Sequence, residues 1–105
     1  MPLVTSKKML IEAQKGKYAV GAFNANNMEI IQAIIETAEE EKSPVIVQAS
    51  QGAIKYAGLE MIVSMVKSMA ERVTIPVVLH LDHGTDYNQN ILCLRAGFTS
   101  LMFDG

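Results

Sequence analysis

Short apolar runs that alternate with stretches of helical periodicity constrain this chain more than any other feature of its sequence. Tyr18 to Phe23, Val45-Ile46-Val47, Val77 to Leu81 and Ser100 to Phe103 read as strands. Before the first run, Thr5 or Ser6 can cap a helix carrying Met9, Leu10 and Ala13 that ends near Gly16. After it, Asn26 or Asn27 can cap a helix with Met28, Ile31, Ile34, Ile35 and Ala38 on one face and Glu36, Glu39, Glu40 and Glu41 toward water. Ser43-Pro44 stops that helix. Residues from about Gly58 to Val73 repeat the pattern with Ile62, Val66, Met69 and Ala70, and Pro76 closes the connection. A shorter helix with Ile91, Leu92 and Leu94 ends at Gly97. Val45-Ile46-Val47 has no polar alternation, as expected of a strand covered on both faces. Strands and helices in strict alternation, joined by short connections, predict right-handed βαβ units and a parallel sheet.

Four strands do not close such a sheet. A barrel needs about eight strands and ~250 residues. The last strand has no helix after it, and an open four-stranded sheet leaves two bare edges. The expectation is one unit over residues 1–105, the N-terminal part of a larger α/β barrel that this chain does not close by itself. The methionines stand mostly on apolar helix faces and read as core filler.

Composition narrows the function class. Half of the 105 residues are apolar, the formal net charge is -2 and the pI is about 5.6. No basic face is implied, which argues against nucleic acid and anionic membrane as partners. A lone cysteine, Cys93, cannot form an internal disulfide and fits a reducing, cytoplasmic setting. Its simplest role is a small apolar residue on a helix. The start, Met1 to Thr5, has no secretory pattern, and no run approaches the ~20 apolar residues of a membrane span.

In parallel α/β barrels the chemistry collects at the C-terminal ends of the strands. Here those ends carry Asn24, Asn26 and Asn27; then Gln48-Ala49-Ser50-Gln51-Gly52; then His80-Leu81-Asp82-His83-Gly84; then Asp104. Asp82 and His83 are the sharpest pair. Neighbours in a regular strand point to opposite faces, so a turn starting at Gly84 is needed to aim His83 at the barrel mouth. Asp82 can then move a proton while His83 holds a metal, or both can serve as structural hydrogen-bonding groups. A catalytic zinc site normally takes about three protein ligands. Ser50 can meet a phosphate or cap a helix. Asn24 can bind substrate or tie a loop. Asp104 can belong to the site or cap a following helix. His80 reads as an inward residue that packs or hydrogen-bonds.

Together the segments MPLVTSKKML, YAVGAFNANNMEIIQAI, EEEKSPVIVQASQGAIKYAG, PVVLHLDHGTD and AGFTSLMFDG resemble the class II, metal-dependent fructose-bisphosphate aldolases. The resemblance runs through the whole chain, and the order and spacing of the segments make it specific. It implies a (β/α)8 TIM barrel of which this chain is the N-terminal segment, with about four parallel strands. It implies reversible cleavage of fructose 1,6-bisphosphate to dihydroxyacetone phosphate and glyceraldehyde 3-phosphate, a step of glycolysis and gluconeogenesis. His83 matches a zinc ligand, and Asp82 matches the acid/base acting on the C4 hydroxyl. Ser50 matches a residue at the substrate phosphate, and Asn24 one that supports substrate binding. Asp104 matches a carboxylate near the metal. The cofactor implied is Zn2+, one ion per complete site, with the other histidine ligands on strands beyond residue 105. The isolated chain is therefore expected to be inactive or nearly so. Two alternatives stand beside this reading. The near relative tagatose-bisphosphate aldolase shares the fold, zinc and the Asp-His pair. A non-catalytic barrel fragment would assemble with itself, as a homo-oligomer, or with a complementary fragment. A stand-alone phosphosugar-binding module is a third, weaker option.

Overall fold

Most boundaries between apolar runs and helical stretches recur in the computed structural model, which describes residues 2–104, but the first strand, expected over Tyr18 to Phe23, starts only at Ala22. Met1 and Gly105, which begin the first and end the last of the quoted segments, lie outside the described residues. In chain order the elements are α1 (Ser6–Gly16), β1 (Ala22–Asn24), α2 (Met28–Glu40), β2 (Val45–Ser50), α3 (Gln51–Ala57), α4 (Leu59–Glu71), β3 (Val77–Gly84), α5 (Tyr87–Ala96) and β4 (Ser100–Phe103). The strands form one sheet in the order β1-β2-β3-β4, every pair parallel. This is the consecutive winding of a (β/α) barrel wall.

The caps explain several boundaries. Asn27 accepts the Ile30 N–H at 2.8 Å and starts α2. Thr5 occupies the N-cap of α1 without a side-chain bond. Lys17 ends α1 in a left-handed conformation, its N–H reaching the carbonyls of Ala13 and Gln14. Gly58, at φ 96°, separates two helices where one was expected. The extra helix α3 begins directly at the end of β2.

One face of the sheet carries the core. Val45, Val47, Ala49, Leu79 and Leu81 pack there with Ile31, Ile35, Ile62, Val66 and Cys93, all 3% exposed or less. The dispersion and apolar burial in this layer hold the helices to the sheet. On the other face of β2, Ile46, Gln48 and Ser50 are only half-buried, so this strand is not covered equally on both sides. That face is the wall of the barrel interior.

Other expectations shift. The first strand is three residues long and exposed throughout, because β2 is its sole neighbour in the sheet. In α5 the buried residues are Asn90 and Cys93, whereas Leu92 and Leu94 are about half exposed. The connection from α5 to β4 turns the Cys93 face of the helix, and not the leucines, onto the core. Leu10 and Met28 also point outward, at 49% and 51% exposure. Among the described methionines only Met9 is fully buried, so the core-filler reading holds for it and partly for Met65 and Met69.

Candidate active site

Register places polar residues in rows across the barrel wall. Asn24 pairs with Gln48, Gln48 with His80, and His80 with Ser100. Paired residues in a parallel sheet share a face, so this row lies on the half-covered side. Gln48 donates from Nε2 to Asn24 Oδ1 at 2.5 Å and, more loosely, to Asp82 Oδ2 at 3.4 Å. His80 Nδ1 and Ser100 Oγ lie 2.7 Å apart. Burial disfavours the charged form of His80 and pushes its pKa down, with Asp82 opposing. The inward, hydrogen-bonded role expected of His80 is the one found. Gln48 had no role assigned from sequence. Its signal was a polar side chain at an alternate position of an apolar strand, between Val47 and Ala49.

The next row pairs Ser50 with Asp82. Ser50 caps α3, its Oγ accepting the Ala53 N–H at 3.1 Å. The capping role is thus realised, but it uses the hydroxyl oxygen as acceptor and leaves its proton to donate elsewhere. A cleft of about 420 Å³ opens beside it, lined by Asn24, Asn26, Ile30, Ser50, Gly52 and Tyr56. Asn24 and Ser50, from separate strand ends, therefore face one space.

His83 is aimed by a feature not foreseen. No turn starts at Gly84; β3 runs on through it. Leu81 pairs with Leu101, but Gly84 pairs with Phe103, so β3 carries one residue more than β4 across this interval. That is a β-bulge. His83 lies within it at φ 56°. The other non-glycine residues with positive φ among those described, Lys17 and Lys42, follow helices. Left-handed backbone at a non-glycine residue costs about 1–2 kcal/mol, although histidine tolerates it better than most. The extra residue breaks the alternation that would otherwise send Asp82 and His83 to opposite faces.

The result is a compact polar group. His83 Nδ1 lies 2.8 Å from Asp104 Oδ2, and His83 Nε2 lies 3.7 Å from Asp82 Oδ2. The hydrogen bond to Asp104 is the main reason the His83 pKa is raised, with the charges of Asp82 and Asp104 adding to it. The His83 side chain is 63% exposed. With Nδ1 held by a carboxylate, Nε2 is the nitrogen presented to a cation. The donor chemistry suits zinc in part: one oriented imidazole and neighbouring carboxylates. Among the described residues no group of three His, Cys, Asp or Glu is arranged to hold a metal. Cys93 is buried outside this group, and burial pushes its thiol pKa up.

The family profile described as "Fructose-bisphosphate aldolase class-II" matches residues 4–105. The fructose-bisphosphate aldolase of Geobacillus stearothermophilus is 52% identical over 107 residues, covering 99% of this chain and 37% of that protein. The fructose-bisphosphate aldolase of Helicobacter pylori strain J99 is 52% identical over 103 residues, covering 97% of this chain and 34% of that protein. The YdjI aldolase of Escherichia coli K12 superposes with a TM-score of 0.90 at 34% identity, over 98% of this chain and 40% of that one. The chain thus spans little more than a third of the length of these curated relatives.

Proposed function

We propose that this chain, which belongs to the class II fructose-bisphosphate aldolase family, contributes the proton-transfer arm and one metal ligand to a site that cleaves fructose 1,6-bisphosphate reversibly. The observation that carries the reading is the bulge at His83, which brings Asp82, His83 and Asp104 to one place at the strand ends. Asp82, 20% exposed and in loose contact with Gln48, serves as the acid/base that takes the proton from the C4 hydroxyl. Removing that proton lets the C3–C4 bond break, releasing glyceraldehyde 3-phosphate and leaving the dihydroxyacetone phosphate half. His83 would hold zinc, its Nε2 being the ring nitrogen left free, while Asp104 fixes the ring from the other side. When bound, zinc supplies Lewis-acid polarisation of the substrate oxygens. Asn24 and Ser50 line the cleft that receives a substrate phosphate, Ser50 donating its free hydroxyl proton.

The partner is a phosphosugar. No basic patch is implied by a net charge of -2, and no helix among the described residues is long and apolar enough to cross a membrane. The setting is cytoplasmic. Residues 1–105 act as one unit of barrel wall. A second reading, closure by a second copy or by a complementary segment, draws on the exposed β1 edge, where Phe23 is 52% exposed beside an apolar cleft of about 430 Å³.

The test replaces the matching N-terminal segment of the Geobacillus stearothermophilus enzyme with residues 1–105. The chimera should cleave fructose 1,6-bisphosphate in a zinc-dependent, chelator-sensitive way. Asp82→Ala should reduce kcat by about 10²–10⁴-fold. A folded chimera without turnover, or one that prefers tagatose 1,6-bisphosphate, overturns the assignment. The 105-residue chain alone should show no zinc-dependent turnover.

A further inference from the structure

We infer that Asn90, a residue of α5 outside the proposed chemistry, is the positioning residue that holds His83 and Asp104 in their working geometry. Asn90 is the only buried polar residue among those described, at 6% exposure. Its Nδ2 donates to Gly84 O and to Asp86 O, each at 3.0 Å. Its Oδ1 is buried with no hydrogen-bond partner among the described residues. A buried amide with an unmet acceptor is destabilising relative to an apolar side chain of the same shape. The two donor bonds are what the asparagine gains in exchange.

Both bonds end on the segment that follows the bulge. Gly84 O is shared, since it also accepts the Asp104 N–H at 3.3 Å. Asp104 in turn binds His83 Nδ1. A closed circuit therefore runs from Asn90 to the Gly84 carbonyl, to the Asp104 backbone, to the Asp104 carboxylate, to the His83 ring and back through the peptide to Gly84. Packing closes it further. A Cβ on Gly84 would come within 2.6 Å of Asn90 Nδ2 and of Leu81 Cδ2, and within 2.8 Å of Met102 O. The glycine lets Asn90 approach, and Asn90 fixes the glycine. Left-handed backbone at His83 persists because the residues after it are pinned from α5. Without the clamp, the strand can relax toward regular pairing, which turns His83 away from Asp104.

The inference concerns the metal-free geometry, so it stands or falls separately from the zinc assignment. It is tested on the 15N-labelled 105-residue chain by long-range 1H–15N correlation of the imidazoles at a pH where His83 is neutral. The wild-type ring should be the Nδ1–H tautomer, donating to Asp104. In Asn90→Ala and Asn90→Asp the ratio of that tautomer to Nε2–H should fall about fivefold or more, as expected for losing one net hydrogen bond. Asn90→Asp keeps the shape and removes the donor. Cys93→Ala, on the same helix and equally buried, should lower stability and leave the tautomer ratio unchanged. A ratio that survives both Asn90 substitutions overturns the inference. So does an equal change in Cys93→Ala, which would mean that loosening the helix is enough. Should the variants fail to fold, the wild-type chain still decides: the Asn90 Nδ2 protons must exchange slowly, and rapid exchange refutes the clamp.

Discussion

The two ends of this sheet both use carboxylates, in opposite ways. At the end where the strands begin, Glu39 is engaged on both oxygens by the segment that leads into β3. Its Oε2 accepts the N–H groups of Thr74 at 3.0 Å and Ile75 at 3.2 Å, and its Oε1 accepts the Thr74 hydroxyl at 2.9 Å. At the end where the strands finish, Asp82 and Asp104 surround an exposed imidazole on a strained bulge. The first arrangement consumes acceptor capacity to tie α2 to the start of β3. The second leaves acceptors free and spends conformational strain to aim a ring. Barrels commonly divide stability and chemistry in this way.

The largest effect should come from the layer that both ends share. Leu79 is fully buried in the middle of β3. Leu79→Ala should lower unfolding free energy by about 2–5 kcal/mol in urea titration. It should also weaken amide protection at Thr74 and at Gly84 together. A loss confined to one end would mean that the two ends are not coupled through the core.

Gly84→Ala should separate them. The added methyl meets Asn90, Leu81 and a backbone carbonyl of β4 at the distances given above. Overpacking of this kind costs about 1–3 kcal/mol. The damage should stay at the site end, with slow exchange at the Thr74 amide retained. Stability within ~0.5 kcal/mol of wild type, the range of an ordinary surface change, would show that the wall around the bulge yields easily.

The same division marks what the sequence made legible. Ser100–Phe103 and the α2 core face of Ile31, Ile35 and Ala38 were readable from local pattern, because a strand or an amphipathic helix carries its period within a few residues. The strand-end positions of Asn24, Ser50, Asp82 and Asp104 followed from the alternation alone. The bulge did not, because it is a mismatch between two strands about 20 residues apart and neither carries it alone. α3 was not drawn as a helix, although Ser50 was read as a possible cap, because its seven residues are too few to carry a clear apolar period of their own. Asn90 was missed because apolar neighbours drew the helix face toward Leu92 and Leu94, while a polar residue faces the core. Local chemistry was visible; what aims it is tertiary.

The smallest effect should be at Glu39, and its sign is fixed by the arrangement. The hydrogen bonds from Thr74 hold its pKa below the ordinary glutamate value, aided by Ile75 and Lys42. At acid pH the unfolded chain therefore takes up the proton more readily than the folded one. The contribution is fully present above the unfolded pKa and is lost as pH falls through the folded value. Glu39→Gln should be less stable than wild type near neutral pH, and the gap should narrow steadily as the solution is acidified. The side chain is partly exposed, at 26%, so salt and solvent keep the effect small. Denaturant midpoints measured across this range decide the point. A constant gap would assign the role of Glu39 to shape and neutral hydrogen bonding, and the contrast between the two ends would then rest on the strained imidazole alone.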